Sequence, residues 1–143
     1  MKRKREDDEY VDYDEKVPDR AVSVYSNWIK HKFKGSIIVL GGTEVSLRRF
    51  VHYDYWQNRL RRPVQLDSRA DIMVYGSGEK QILEIANRIK NSKPLDNIPG
   101  TCIISKEIPE NFTLLPSFDE VNTLNEKFCD MQNLFSNYKK VAT

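Results

Sequence analysis

Apolar and polar positions divide the chain into segments of different periodicity. After Pro18, apolar residues recur at helical spacing, at Ala21, Val24, Tyr25, Trp28 and Ile29. This i, i+3, i+4 pattern predicts an amphipathic helix that ends near Gly35. A second stripe of alternating three- and four-residue spacings begins at Val121, after a capping box formed by Ser117 and Glu120. That signature predicts a C-terminal helix.

Three short runs are wholly apolar and lie close to glycine, at residues 37–40, 72–75 and 102–104. Such runs are typical of strands that are covered on both faces of a parallel sheet. Residues 79–91 carry apolar side chains at helical spacing between the second and third runs. The alternation of strand and helix predicts βαβ units with right-handed crossovers.

The predicted fold class is therefore α/β: a partial doubly wound, Rossmann-like parallel sheet with flanking helices and a C-terminal helix. Three strands make a thin sheet, which indicates a piece of a larger domain or a sheet edge that needs a partner. We expect residues 1–17 to be a mobile charged arm, residues 18–116 an α/β accessory domain, and residues 117–143 a connecting helix.

Composition and charge exclude several classes of protein. The chain has 143 residues, 39% hydrophobic and 31% charged, and a formal net charge of +2. The longest aliphatic run is far shorter than the ~20 apolar residues of a transmembrane helix, so no membrane association is expected. The small net charge gives no overall attraction to nucleic acid. Two cysteines and a basic start without a following apolar stretch indicate a reduced, cytoplasmic protein.

Two glycine-rich turns are the first candidate for chemistry. In an open parallel sheet they lie at the carboxyl ends of the strands, where ligands bind. Thr43 is expected to cap the helix after the first turn. Neither turn is a dinucleotide fingerprint or a P-loop, and glycine serving turn geometry alone is the competing interpretation. The candidate cleft residues are Gly41, Gly42, Thr43, Glu44, Ser46, Tyr75, Gly76, Ser77, Gly78 and Glu79.

Residues 47–69 are the second candidate, with six arginines, two aspartates and interleaved aromatic residues. Guanidinium groups bind phosphate or carboxylate, and aromatic rings stack on bases, so a nucleotide or nucleic-acid surface is one interpretation. In the other, the aromatic rings pack inside and the arginines pair with acids of another domain. No metal site is expected, because His31 and His52 have no second ligand at metal spacing. The candidate contact residues are Arg48, Arg49, His52, Tyr55, Trp56, Arg61 and Arg62.

The motifs in residues 18–21, 41–49, 52–56, 61–62, 67–71 and 75–79 are similar, in this order, to the N-terminal region of the YgiQ family of radical S-adenosylmethionine proteins. The glycine pair after one strand and Gly-x-Gly-Glu after the next also resemble the cobalamin-binding domains that precede other barrels of this class. The resemblance is densest from residue 18 to about residue 90. It implies a partner, the radical S-adenosylmethionine barrel, in the same parent chain or on a separate one.

In that family a CxxxCxxC loop holds a 4Fe-4S cluster that cleaves S-adenosylmethionine. Cys102 and Cys129 match none of that loop, so the resemblance implies no cofactor in this chain and both cofactors in the full-length family. Cobalamin is doubtful, because the Asp-x-His-x-x-Gly motif is absent. We therefore expect an accessory domain that shapes a substrate or cofactor cleft and is not catalytic alone. The alternative is a nucleotide- or nucleic-acid-binding module.

Overall fold

The computed structural model describes residues 20–108, 110–137 and 141–142. The first half of the chain forms α1 (Ala21–Lys32), β1 (Val39–Leu40), α2 (Thr43–Leu47), β2 (His52–Asp54), β3 (Arg59–Arg61) and α3 (Val64–Ser68). The second half forms β4 (Ile72–Val74), α4 (Glu79–Lys90), β5 (Thr101–Ile103), β6 (Thr113–Leu114), α5 (Phe118–Thr123), α6 (Asn125–Asn137) and β7 (Val141–Ala142). The predicted arm, residues 1–17, lies outside the described residues.

In the described part of the chain, β1, β4 and β5 form the main sheet with β4 in the middle. β1 pairs parallel with β4, as the first two apolar runs predicted. Ile72 and Val74 pack with Ile85 of α4 on one face, and Met73 packs with Val45 of α2 on the other. Helices thus cover both faces of β4, and the predicted α/β class with flanking helices is confirmed.

The direction of β5 corrects the expected topology. The alternation of strand and helix predicted a second parallel pair, but β5 runs antiparallel to β4, with Thr101 opposite Val74. The backbone amide of Tyr75 donates to the carbonyl of Gly100 at 3.0 Å, so the chain has returned to the carboxyl end of β4 before β5 begins. Residues 91–100 are long enough to make that return without a second crossover helix. The sheet is therefore only partly parallel.

The arginine-rich stretch contains two elements that periodicity did not reveal, the hairpin β2–β3 and helix α3. The carboxylate of Asp54, which is 3% exposed, accepts hydrogen bonds from the amides of Trp56 at 3.1 Å and Gln57 at 3.3 Å. These bonds close the hairpin turn. Asp54 also pairs with Arg20, at the start of α1, which fixes the hairpin to the first helix.

The predicted first helix is confirmed as α1, which ends at Lys32. Gly35, with φ of +89°, lies in the turn that follows. At the other end of the chain the capping box is also confirmed: Ser117 Oγ accepts from the Glu120 amide at 3.3 Å, and the Glu120 carboxylate accepts from the Ser117 amide at 2.8 Å.

The C-terminal segment is two helices rather than the single one predicted. Leu124 has extended backbone angles, φ −124° and ψ 108°, and separates α5 from α6. Because of this break, Leu124 points outward and is 54% exposed, whereas Val121 and Met131 are buried. Val121 and Met131 form a hydrophobic core, separate from the one around β4, with Val51, which follows α2 in the chain. The C-terminal helices therefore pack on the segment between α2 and β2.

Candidate functional site

The two glycine-rich turns meet at the carboxyl edge of the parallel pair. Gly42 lies between β1 and α2, and Gly76 lies between β4 and α4. Ser46 Oγ accepts a hydrogen bond from the Gly76 amide at 3.2 Å and donates to the carbonyl of Gly42 at 2.9 Å. One hydroxyl thus joins turns that are about thirty residues apart in sequence, as expected when parallel strands end side by side.

Three of the glycines have different physical reasons for lacking a side chain. Gly42 (φ +96°) and Gly76 (φ +70°) adopt backbone angles that strain other residues, and the space around both is open. Gly78 has an ordinary φ, but a Cβ there would lie 2.9 Å from Cγ1 of the buried Val74. Gly42 and Gly76 therefore serve turn geometry and leave the surface around the two turns open, whereas Gly78 allows α4 to pack closely against β4.

The helix that follows the first turn begins differently from the prediction. Gly42 is the N-cap residue of α2 and Thr43 is its first helical residue, so Thr43 does not cap the helix. Glu44 lies in the first turn of α2, where it accepts a hydrogen bond from Arg48 at 2.8 Å. Glu79 lies in the equivalent first turn of α4 and is exposed. Both acids complement the positive end of a helix dipole.

Arg49 connects these turns to the C-terminal helices. Its guanidinium carbon lies 4.9 Å from the centre of the Tyr75 ring, 5.4 Å from that of Phe50 and 4.4 Å from that of Phe135 in α6. The guanidinium also donates to the carbonyl of Ser46. Cation–π contact with three rings, together with this hydrogen bond, holds α6 against the glycine turns.

Tyr75 and Cys102 lie in the same neighbourhood and are kept uncharged by burial. Burial raises the pKa of the Tyr75 phenol. It raises the pKa of the Cys102 thiol to about 11, although the positive charge of Arg49 acts in the opposite direction. A thiol with such a pKa is a poor metal ligand and nucleophile near pH 7, so its role here is packing.

The remaining predicted contact residues lie on or beside the β2–β3 hairpin. Arg61 pairs with Asp67 of α3, and the guanidinium carbon of Arg62 lies 5.1 Å from the centre of the Phe118 ring. Nδ1 of His52 lies 3.1 Å from the carbonyl oxygen of Phe50.

Burial lowers the pKa of His52 below 6.5, against the raising effect of the Phe50 carbonyl. His52 is therefore mainly neutral at pH 7. Tyr55 and Trp56, at the hairpin tip, are 57% and 51% exposed, with ring centres 5.2 Å apart.

The structure therefore brings together only part of the predicted site. The two turns, Arg48 and Arg49 are connected by α2 and its hydrogen bonds. Among the described residues no hydrogen bond or ring contact joins the aromatic hairpin tip to the glycine turns. Sequence reasoning missed the Arg49–Phe135 contact, because no local pattern connects positions so far apart.

The glycine turns form an exposed face rather than a closed pocket. Gly41, Gly42, Thr43, Gly76, Ser77 and Glu79 are all exposed. A cavity of about 460 Å³ lies elsewhere, between β6 and α6, and Leu115, Lys127 and Leu134 contribute to its lining. A cleft at the glycine turns thus requires a second surface, which the described residues do not supply.

The donor groups of this chain do not fit an iron–sulfur cluster. A 4Fe-4S site takes thiolate ligands, and the sequence contains two cysteines. Both are free, Cys102 in β5 and Cys129 on the surface of α6. Among the described residues, no group of three or more His, Cys, Asp or Glu side chains is placed to hold a metal ion.

Comparison with known proteins gives relatives that are much longer. The chain is 44% identical over 138 residues to a UPF0313 protein of Fusobacterium nucleatum, and the aligned region covers 94% of this chain and 24% of that protein. It is 44% identical over 136 residues to a UPF0313 protein of Clostridium botulinum, covering 90% of this chain and 21% of the relative. A UPF0313 protein of Clostridium perfringens is 49% identical over 114 residues, 76% of this chain and 17% of the relative.

The chain therefore spans about a fifth of the length of the curated relatives it matches. No solved structure matches it. None of the helices in the described ranges has both the length and the apolar composition needed to cross a bilayer. The model of the family described as "Radical SAM N-terminal" matches residues 1–143, and the chain therefore belongs to this family.

Proposed function

We propose that this chain is the accessory domain of a YgiQ-type radical S-adenosylmethionine protein, and that its exposed glycine face closes a cleft against the catalytic domain of the same longer chain. The domain shapes the entrance for substrate or cofactor. The 4Fe-4S cluster and the cleavage of S-adenosylmethionine belong to residues outside these 143. The chain alone is not an enzyme in this proposal.

The junction of the two glycine turns carries the proposal. The Gly76–Ser46 hydrogen bond and the Arg49 contacts hold an open, backbone-rich face in one conformation. Gly42 and Gly76 have no side chain and open space around them, so another surface can approach the backbone closely at these two positions. The relatives' additional length supplies polypeptide for this role.

The proposed location rests on the cysteines. Cys102 and Cys129 are free, which suits a reducing compartment, and we place the protein in the cytoplasm.

Cobalamin is not part of the proposal, because no histidine of this chain stands in the Asp-x-His-x-x-Gly motif.

Photo-cross-linking in a full-length protein tests the proposed position of the face. We define the chimera as the Fusobacterium nucleatum relative with this chain in place of its matching region, with which it is 44% identical. Ser77, exposed at the second turn, is replaced by benzoylphenylalanine. Cross-links are expected to peptides close to the cysteines that, in this proposal, bind the cluster in the remainder of the chimera.

The matched control is Lys90→benzoylphenylalanine, because Lys90 is also exposed but ends α4, about 18 Å from the turn for a helix of 12 residues. This control is expected to give no cross-link to those peptides. If Ser77→benzoylphenylalanine reacts only within the 143 residues, or no more than the control does, the glycine face does not lie at the reaction centre.

A second measurement tests the assignment of the cluster. The isolated chain is incubated anaerobically with iron and sulfide, and its absorption spectrum is compared with that of the chimera. The chimera is expected to develop the charge-transfer absorption of the cluster, whereas the chain alone lacks the thiolates for it. A stoichiometric 4Fe-4S signal from the isolated chain would contradict the proposal.

A further inference from the structure

The side of helix α1 that packs on the body of the protein is mostly polar. Ser26, in the middle of the helix, is 3% exposed. Asn27 Nδ2 donates to the carbonyl of Asp67 in α3 at 2.9 Å, and Lys30 Nζ contacts the Asp71 carboxylate at 2.7 Å. These polar contacts hold α1 together with the Arg20–Asp54 ion pair at its start and the packing of the partly buried Val22 against the core around Val45.

The opposite side of α1 carries large apolar side chains that point to solvent. Tyr25 is 44% exposed, Trp28 61%, Ile29 42% and Phe33, which directly follows the helix, 62%. Residues at spacings of three, four and eight lie on one face of a helix. We call these four residues the α1 stripe. The rings of Tyr25 and Trp28 contact each other, with centres 5.5 Å apart.

This arrangement reverses the usual one for a surface helix, in which the apolar face is buried and the polar face is hydrated. A contiguous group of exposed aromatic and aliphatic side chains marks an interaction surface. Ile37, between α1 and β1 in the chain, is also exposed, at 48%. Strand β1 pairs with β4 alone among the described strands, so one of its edges is open.

We infer that the α1 stripe is the surface on which the remaining part of a longer UPF0313 chain packs. The relatives provide that polypeptide, since this chain matches only 24% and 21% of two of them. This inference rests on the proposed function in one respect, that the chain is one domain of a larger protein. It does not depend on what the glycine face binds.

The charges of α1 disfavour a second copy of this chain as the occupant. The helix contains no acidic residue. Arg20 and Lys30 are paired with Asp54 and Asp71, whereas Lys32 and Lys34, both exposed, have no ion-pair partner among the described residues. A symmetric dimer through the α1 stripe would place the unpaired lysines of both copies at one interface, which opposes association. The surface that fits is apolar at its centre and acidic around the C-terminal end of α1.

Hydroxyl-radical footprinting of Trp28 tests this inference, with Leu83 of α4 as the reference. Trp28 and Leu83 are 61% and 72% exposed, so both are expected to be oxidised in the isolated chain. In the chimera, Trp28 is expected to react at least about fivefold more slowly than in the isolated chain because packing removes it from water, while Leu83 keeps its rate. Met73 and Met131, each 1% exposed, remain protected in both samples if the fold is intact.

Three other outcomes would overturn the inference. In the first, Trp28 reacts as fast in the chimera as in the isolated chain. In the second, the protection of Trp28 in the isolated chain rises with protein concentration, which identifies a second copy as the occupant. In the third, Trp28 is protected in the isolated chain at every concentration, which identifies residues 1–19 as the occupant. If Trp28 is protected in the chimera and Ser77→benzoylphenylalanine gives no cross-link, the docking surface stands and the position proposed for the glycine face is wrong.

A pair of variants provides a second measurement if oxidation is hard to quantify. Trp28→Arg and Leu83→Arg each place a charge at an exposed position, so neither is expected to shift the thermal midpoint of the isolated chain by more than about 2 °C. In the chimera, Trp28→Arg is expected to lower the midpoint clearly more than Leu83→Arg, because it places a charge in an interface. Equal effects of the two variants in the chimera would contradict the inference.

Discussion

The guanidinium of Arg49 lies 4.4 Å from the centre of the Phe135 ring, 86 positions away in the chain. This contact connects the C-terminal helices to the glycine turns, because the same guanidinium also stacks on Tyr75. Helix α6 is thus connected through Arg49 to Tyr75, one of the residues proposed to face the reaction centre.

Replacing Arg49 with methionine is expected to lower the free energy of unfolding by about 1–2 kcal/mol, because methionine keeps the apolar stem and loses the cation–π contacts. Urea unfolding of the isolated chain measures this change. The control is Arg59→Met, since Arg59 is exposed on β3 and its side chain donates to the nearby Gln57 side chain. If both variants lose the same free energy, Arg49 does not connect the two parts of the structure.

Replacing Gly78 with alanine is expected to cost about 1–3 kcal/mol of unfolding free energy, as overpacking does in a well-packed core. The added Cβ would lie 2.9 Å from Cγ1 of Val74, which is buried at the centre of the sheet. Chemical denaturation gives the difference. Gly41→Ala is the matched control, because its Cβ would meet only the Val74 carbonyl, at 4.0 Å.

A double variant identifies the cause of the Gly78→Ala effect. Val74→Ala removes the methyl group in the way, so the loss in Gly78→Ala/Val74→Ala should be smaller than the sum of the two single losses. Strict additivity would show that the clash with Val74 is not the reason why glycine is needed.

The stability of the isolated chain is expected to fall in acid because of Asp54 and Asp71. Burial alone would raise the pKa of Asp54, but the Gln57 amide, Arg20 and the Trp56 amide together lower it below 3.8. Burial likewise opposes the lowering of the Asp71 pKa by Lys30 and the Ile38 amide. The unfolded chain then binds protons more readily than the folded one.

The contribution of these two aspartates is therefore fully present above about pH 5 and is lost as the pH falls through about 4 toward their folded pKa values. Urea midpoints measured between pH 3 and pH 7 test this. Asp54→Asn should be less stable at pH 7 and should lose less stability on acidification than the original chain. An unchanged pH dependence in Asp54→Asn would contradict the role given to its ion pair with Arg20.

The two thiols should differ in reactivity. Cys129 is exposed, whereas Cys102 is largely buried and its thiol has a pKa of about 11. At pH 8 only about one part in a thousand of Cys102 is thiolate, so iodoacetamide should modify Cys129 first. Peptide mass spectrometry follows the two sites, with both expected to react in denaturant. Rapid modification of Cys102 in the folded chain would show that its surroundings are more open than described.

Nucleic-acid binding by the arginine-rich stretch is tested by salt titration. Arg48, Arg61 and Arg62 have partners within the chain, and we expect no measurable affinity for RNA or DNA even at low salt. Fluorescence anisotropy with labelled oligonucleotides provides the measurement. An affinity that falls steeply as salt rises would restore the alternative interpretation, because phosphate contacts release counterions.

Local patterns determined the parts of this protein that depend on neighbouring residues. The spacing of apolar residues predicted α1 and α4, the apolar runs predicted the parallel pair of β1 with β4, and Ser117 with Glu120 marked the start of α5. Helical turns, short strands and helix caps each involve residues that are only a few positions apart, so they leave a recognisable pattern of apolar and polar residues in the sequence.

Only the tertiary structure decided the relationships that depend on distant segments. The direction of β5, the break at Leu124, the Arg49–Phe135 contact and the side of α1 that faces the body all follow from how whole elements pack. The apolar face of α1 predicted a helix correctly, but which face is covered depends on what else is present to cover it. That choice is made by the free energy of packing the whole molecule, which no local pattern contains.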